Sequence, residues 1–251
     1  MTYYASLVTE NVADFKGFSD YMVADAYFSK KPFVYEITSS GLHFISRLRD
    51  DSVLMYKYKG EPSGKKGAAK KFIGRVDPQN PDLNYFTTDV INEDIAIYSA
   101  AVYSKAFKKD IKLAITIFFK DGKEIARKLY FSTDTNQAGE KTISNYRSRF
   151  QIEFLYRDAK QFTGLSTCQA RSKNKLDLHF NATLTTVTLV KHDWISTENH
   201  STLSFSMANY KTLNNNTLML KRFMCMFAIN PYSAKNQKIV KELLYYGKIA
   251  A

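Results

Sequence analysis

The chain has 251 residues, of which 45% are hydrophobic and 24% are charged, and this balance is typical of a soluble globular protein. Lysine and arginine number 36 against 24 acidic residues, and the formal net charge of +12 favours polyanionic partners, nucleic acid before acidic membrane surfaces. Solvated lysines that bind nothing explain the same charge equally well. The two cysteines lie far apart, which excludes a disulfide framework or a zinc site. Without a signal-peptide layout or a run of about 18 apolar residues, we expect a soluble cytoplasmic protein.

The first fifty residues predict an α/β unit. The apolar run 21–24 predicts a short buried strand that places Asp25 at its end. The segment 29–41 (SKKPFVYEITSSG) predicts a helix that Gly41 terminates. Residues 42–49 alternate between apolar and polar, which is typical of a half-buried strand. A strand, a helix and a second strand in succession indicate an α/β arrangement.

A β-rich segment follows. The stretch 60–71 (GEPSGKKGAAKK) predicts an exposed basic loop, whose Lys65 and Lys66 either follow a DNA backbone or form a solvated loop tip. The strand-like runs after it are 71–76, 83–88, 94–103, 111–119 and 124–132. The sequence KDGK at 120–123 predicts a tight hairpin turn. We expect an antiparallel sheet inserted into the α/β unit.

The rest of the chain predicts helices. Residues 136–162 have the pattern of one continuous helix, and the chain is mostly helical from residue 172 onward. The segments 196–202 (STENHST) and 213–216 (LNNN) predict loops, and Ser233 is a candidate cap for a late helix.

One segment, 145–165 (NYRSRFQIEFLYRDAKQFTGL), combines a polar and an apolar face. Because a helical residue advances by about 100°, one face gathers within roughly 60° the residues Tyr146, Arg149, Glu153, Arg157 and Lys160. The opposite side predicts a buried stripe of Ile152, Leu155, Tyr156, Ala159 and Phe162. A glutamate among cations can hold a metal ion while the cations bind phosphates. The alternative is an amphipathic helix whose polar face forms internal salt bridges.

The spacing within this segment resembles the Y-R-E-K signature of the insertion-sequence 4 transposases, carried by Tyr146, Arg149, Glu153 and Lys160. The resemblance extends to residues 23–33 (VADAYFSKKPF), which are similar to the segment that holds the family's second catalytic aspartate. It also covers residues 227–247. The order matches as well: an aspartate after a strand, a β-rich insertion and then the glutamate helix.

The resemblance implies an α/β fold with the C-terminal portion of an RNase H-like catalytic core, an inserted antiparallel sheet and a helical C-terminal region. It makes Asp25 and Glu153 the second and third metal-binding carboxylates. Contacts with DNA phosphates are expected from the polar face, at Tyr146, Arg149, Arg157 and Lys160. Mg²⁺, with Mn²⁺ as a substitute, is the implied cofactor. Transposon-end and target DNA are the implied partners, bound by a homodimer in a synaptic complex.

The sequence departs from this family before Asp25, where only 24 residues are present. The family fold places several strands and a helix there, and although Asp14 and Asp20 are available, the segment is too short for them. We therefore expect the first catalytic aspartate to be missing and the chain to be truncated at its N-terminus. The expected segments are a partial core (1–51), a β-rich insertion (52–132), the glutamate helix that completes the core (133–171) and a helical region (172–251).

The expected function is that of a DDE transposase, which catalyses metal-dependent DNA strand cleavage and strand transfer. Two alternatives stay open: an inactive transposase remnant, which the short N-terminus favours, and another RNase H-like nuclease, which the Y-R-E-K spacing disfavours. Arg47 and Arg49 end the strand that would flank the active site, and one of them is a further candidate to reach it.

Overall fold

The structure is a computed structural model that describes residues 2–58, 60, 70–196 and 205–249. It divides into two compact units, Met1–Phe150 and Gln151–Ala251, and each is described by itself. The first unit contains, in chain order, α1 (Thr2–Thr9), α2 (Val12–Lys16), β1 (Tyr21–Val23), α3 (Lys31–Ser39), β2 (His43–Arg47), β3 (Leu54–Lys57), β4 (Phe72–Arg75), β5 (Thr87–Ile91), β6 (Ile95–Ser104), β7 (Lys109–Lys120), β8 (Lys123–Ser132) and α4 (Gly139–Arg147). The helices after it are α5 (Phe150–Phe162), which begins at the last residue of the first unit, α6 (Lys173–Ser196), α7 (Met207–Met226) and α8 (Ala234–Leu244).

The first unit is built on one mixed sheet. Its strand order is β1-β2-β8-β7-β6-β3-β4, and β5 also pairs with β6. Only β1 and β2 are parallel among the described strand pairs, and the others are antiparallel. The mixed α/β fold is therefore confirmed, and the β-rich segment extends the sheet of the α/β unit. The predicted turn is also confirmed, since Asp121 and Gly122 both have positive φ, 51° and 72°.

Helices cover both faces of the sheet at β2. On one face Phe44 packs against Phe33 of α3, with ring centroids 5.5 Å apart. On the other face Ile45 belongs to a cluster that includes Tyr146 of α4. Phe44 and Ile45 are both fully buried. The prediction of a half-buried strand is therefore wrong for β2, because α4, which lies far along the sequence, covers the face that α3 leaves open.

The prediction of one continuous helix over 136–162 is wrong. Helix α4 ends at Arg147, and α5 begins only at Phe150. Between them the backbone N–H of Ser148 donates to Asn145 and that of Arg149 to Tyr146, both over 3.1 Å. These bonds to the third preceding residue tighten the end of a helix. No glycine or proline marks the break, so the residue pattern alone could not reveal it.

Two further element predictions need correction in the first unit. The run 83–88 is split into a 3₁₀ turn at Leu83–Tyr85 and a strand, β5, that begins at Thr87. The strand β3 was not predicted at all. It pairs with both β4 and β6, so hydrogen bonds to these two strands stabilise it although its short sequence has no clear strand pattern.

The helical C-terminal region is confirmed, with one exception. Residues 213–216, predicted as a loop, lie inside α7. The side-chain amide of Asn216 donates to the carbonyls of Leu243, Leu244 and Tyr246 over 3.3, 3.0 and 2.9 Å, and so caps the end of α8. The predicted cap is confirmed, because Ser233 Oγ accepts from the N–H of Asn236. In the part of the chain that the structure describes, no helix is long and apolar enough to cross a membrane.

Candidate functional site

Asp25 follows β1 directly, as the sequence predicts. It is exposed, and its Oδ1 accepts a hydrogen bond from the N–H of Tyr27 over 3.0 Å, which caps a short 3₁₀ turn. This bond fixes the carboxylate while it leaves Oδ2 without a partner among the described residues. A fixed carboxylate with a free oxygen at a strand end is suited to binding a hard cation.

Two serine hydroxyls tie the Asp25 loop to the end of β2. Ser46 Oγ donates to the backbone carbonyl of Asp25 over 2.9 Å. Ser29 Oγ lies 2.9 Å from Ser46 Oγ and 2.8 Å from the carbonyl of Arg47. The backbone around Asp25 is therefore held against the neighbouring strand, so its carboxylate has a defined position.

Asp25 and Arg47 occupy neighbouring positions at the ends of two parallel strands. The register pairs Val23 with Ile45, and the N–H of Ala24 donates to the carbonyl of Ile45 over 3.2 Å. Continued by two residues, this register places Asp25 beside Arg47. Ligands in α/β proteins are commonly bound at the carboxyl ends of parallel strands.

Three further residues lie next to Asp25 and Arg47: Tyr130 on β8, Tyr146 on α4, and Arg149 just after α4. Arg47 pairs directly with Tyr130 on β8. The Tyr130 ring lies 4.9 Å from the ring of Tyr146. The Arg149 guanidinium carbon lies 5.9 Å from the Tyr146 ring centroid. We call these five residues the strand-end cluster: Asp25, Arg47, Tyr130, Tyr146 and Arg149.

The strand-end cluster contains two guanidinium groups and one carboxylate. Burial raises the pKa of Tyr130, and the nearby guanidinium of Arg47 opposes that rise. Arg149 also lies over the Phe150 ring, with its guanidinium carbon 4.7 Å from the centroid. Arginine stacked on aromatic rings keeps its charge.

The structure places Tyr146 differently from the prediction. Only 6% of it is exposed, and it packs from α4 against the sheet. It does not share one helix face with Glu153, because the turn at 148–149 separates α4 from α5. Its proximity to Arg149 gives it a supporting position, and its contact with DNA stays a prediction.

The remaining members of the signature lie on α5. Glu153 and Lys160 are exposed, and their spacing of seven residues puts them on one face of this helix. The predicted buried stripe is wrong for Ile152, which is 53% exposed, and for Tyr156. Asp158 is buried in their place, and Ala159 is buried as predicted.

Arg157, predicted to contact DNA, is engaged within its own helix. Its Nε donates to Asp158 Oδ1 over 3.0 Å, and its Nη2 lies 2.9 Å from the same oxygen in an ion pair. Its guanidinium carbon lies 5.0 Å from the Phe154 ring. The alternative of an internal salt bridge therefore applies to this residue. Lys160 instead lines a cavity of about 440 Å³ together with Tyr156, Leu165, Ser166, Cys168, Leu176 and Phe180.

Asp25 belongs to the first unit and Glu153 to the second, so their meeting at one cleft stays a prediction. Among the described residues there is no group of three or more histidine, cysteine, aspartate or glutamate side chains that could hold a metal ion. Carboxylate oxygens are nevertheless the ligands that Mg²⁺ prefers. Asp14 and Asp20, the nearest alternatives, are exposed in the N-terminal segment.

The other basic candidates differ in their outcome. Arg49 is exposed and pairs with Asp51 over 3.3 Å, so Arg47 is the arginine that lies in the strand-end cluster. Lys65 and Lys66 lie outside the described residues. Tyr130 was missed, because only the register between β2 and β8 brings it next to Arg47.

A family model described as a transposase DDE domain matches residues 4–189, well over half of the chain. This range includes the strand-end cluster and all four positions of the spaced signature. No curated protein matches the chain.

Proposed function

The chain belongs to the family of the transposase DDE domain, and from that premise we propose that it acts as an insertion-sequence 4 transposase. It binds transposon-end DNA and catalyses strand cleavage and strand transfer. The single observation that carries this proposal is the placement of Asp25 at the end of a parallel strand, in a row with the arginines of the strand-end cluster. The core is RNase H-like, which the parallel β1–α3–β2 unit followed by an inserted sheet supports.

The proposed roles divide between carboxylates and cations. Asp25 and Glu153 are the metal ligands of the site, and the bound Mg²⁺ or Mn²⁺ supplies activation of the attacking oxygen and stabilisation of the leaving oxygen. Arg149 and Lys160 neutralise phosphate charge on the DNA strand. Tyr146 holds Arg149 in place through the contact between its ring and the guanidinium.

A protein that binds DNA without cleaving it is the second candidate. The observation that favours it is the lack, among the described residues, of a group of three potential metal ligands. Sites of this chemistry fix their ions with several carboxylates. The two candidates share DNA binding and differ in strand cleavage, so a cleavage assay separates them.

The experiment is a nicking assay on a plasmid that carries the element's own ends, with Mg²⁺ or Mn²⁺ added. Asp25→Asn and Glu153→Gln keep the shape of each side chain and remove its charge. Asp25→Asn also retains an oxygen that can accept from the N–H of Tyr27. Each variant should lose cleavage by at least about 100-fold, a typical effect of removing a transition-state interaction of this size. Glu36→Gln, at an exposed position on α3, is the matched control and should cleave like the parent chain.

Nicking by the parent chain that both charge-removing variants abolish supports the transposase. Salt-sensitive DNA binding without nicking supports the second candidate. A parent chain that neither binds nor nicks the DNA contradicts both.

A further inference from the structure

The Nε of Arg47 is buried and has no hydrogen-bond partner among the described residues. No described residue forms a salt bridge with the Arg47 side chain either, although its backbone carbonyl accepts a hydrogen bond from Ser29 Oγ. A buried N–H donor without a partner is costly, and such groups in folded proteins call for an explanation.

Arg49 shows that an arginine in this part of the chain can find an acidic partner. Arg49 lies two residues later and pairs with Asp51, with its side chain 81% exposed. Arg47 instead lies in the sheet beside Tyr130 and next in register to Asp25, whose carboxylate bonds to Tyr27. The two charges at the strand ends are therefore adjacent in register without neutralising each other.

An anion that also presents oxygen ligands to a cation satisfies both groups at once. A phosphodiester does this, because one oxygen can face the planar donors of an arginine while another faces the carboxylate-bound metal. The register places Arg47 directly beside Tyr130, whose ring packs against that of Tyr146.

We propose that Arg47 is a positioning residue that binds a phosphate of the DNA strand beside Asp25. This inference rests on the proposed function and adds a residue outside the spaced signature to its site. Arg47 donates from its planar guanidinium to the phosphate oxygens, next to Tyr130, its register partner on β8.

The test measures the affinity of the full chain for a fluorescein-labelled duplex over a series of salt concentrations. Arg47→Gln should weaken binding by about 10-fold or more, since a hydrogen bond to a charged group is lost. It should also lower the slope of log affinity against log salt by about one contact. Arg47→Lys should recover the slope and part of the affinity, because lysine keeps the charge without the planar donors. Arg49→Gln is the matched control and should behave like the parent chain.

Thermal unfolding of the same variants separates a binding role from a structural one. Removal of an unpartnered guanidinium should leave the melting temperature of Arg47→Gln equal to that of the parent or higher. A parent-like salt slope in Arg47→Gln, or a loss of stability in both Arg47 variants, overturns this inference alone if the parent chain binds DNA and cleaves it. A parent chain that does not bind the duplex overturns the proposed function as well.

Discussion

The strand-end cluster and helix α5 both bring an aspartate and an arginine together, and they use the pair in opposite ways. On α5, Arg157 donates a hydrogen bond to Asp158 and forms an ion pair with it, and the Asp158 side chain is only 5% exposed. In the strand-end cluster, Asp25 and Arg47 occupy neighbouring register positions and each lacks the other as a partner. Proximity of opposite charges in sequence or register therefore does not determine whether the two side chains form an ion pair.

The difference lies in what satisfies each charge. A buried carboxylate must be compensated, so Arg157 is committed to the stability of α5. An exposed carboxylate capped by a backbone N–H, and a guanidinium whose Nε has no partner among the described residues, belong to the site that we propose to bind DNA. The comparison thus sets a structural ion pair against a proposed binding site, and three stability measurements can break or sharpen that distinction.

The largest effect should come from Gly139, which seats α4 against the sheet. A Cβ at this position would lie 2.2 Å from Asp89 Oδ2 and 2.6 Å from Ser99 Cβ, so the helix would have to shift. Gly139→Ala should lower the free energy of unfolding by about 2 kcal/mol. It should also weaken DNA binding, because a shift of α4 would move Tyr146, which lies in this helix, and Arg149, which lies just after its end. Urea denaturation and duplex binding measure the two effects.

Gly74→Ala is the control for that substitution. Apart from its two chain neighbours, none of the described residues has an atom within 4 Å of the added Cβ, so the unfolding free energy should change by no more than about 0.5 kcal/mol. Equal stability of the Gly139→Ala and Gly74→Ala variants would show that α4 is not tightly seated. Tyr146 and Arg149 would then not be held in fixed positions within the strand-end cluster.

The intermediate effect should come from Arg157. Arg157→Gln leaves Asp158 buried without its ion partner, which should lower the free energy of unfolding by about 1.5 kcal/mol. That figure is discounted for solvent screening, because the Arg157 side chain is 56% exposed. Chemical denaturation measures it, beside Arg47→Gln, which should show no loss. If both arginines stabilise the chain equally, the distinction between the two regions fails.

The sequence predicts much of this molecule because local patterns govern its regular elements. The α/β unit, the Asp121–Gly122 hairpin and the position of Asp25 after a strand follow from periodicity and turn chemistry. The spaced signature led to a DDE transposase, and the match to a transposase DDE domain confirms that broader family, while the insertion-sequence 4 assignment stays a prediction.

What the sequence could not give depends on partners distant in the chain. The burial of Tyr146 comes from Tyr130, sixteen residues earlier on a strand whose register no local pattern encodes. The break between α4 and α5 carries no glycine or proline, so a helical pattern runs across it. The sequence does not distinguish Arg47 from Arg49 as a site residue. The structure does, because Arg49 pairs with Asp51, whereas the buried Nε of Arg47 has no partner among the described residues.

The smallest effect should come from Tyr21, which anchors the edge strand that leads to Asp25. Its hydroxyl donates to Asp134 Oδ2 over 2.7 Å, and so ties β1 to the segment after β8 across the intervening strand. Tyr21→Phe should lower the free energy of unfolding at neutral pH by about 1 kcal/mol. Tyr35→Phe, at an exposed position on α3, is the matched control and should cause no measurable change.

The pH dependence of this effect identifies its cause. Burial raises the pKa of Asp134, but the hydrogen bonds from Tyr21 and from the backbone N–H of Asn136 outweigh it, and the net pKa lies below its ordinary value. A carboxyl group with a lowered pKa stabilises the fold above its unfolded-state pKa, about 3.9, and that contribution is lost as the pH falls through the folded-state pKa. The difference between the parent and Tyr21→Phe should therefore be full at neutral pH and shrink in acid. A difference that is constant across the acid range would assign the effect to packing, and the edge strand would then be held by its neighbours rather than by the charge on Asp134.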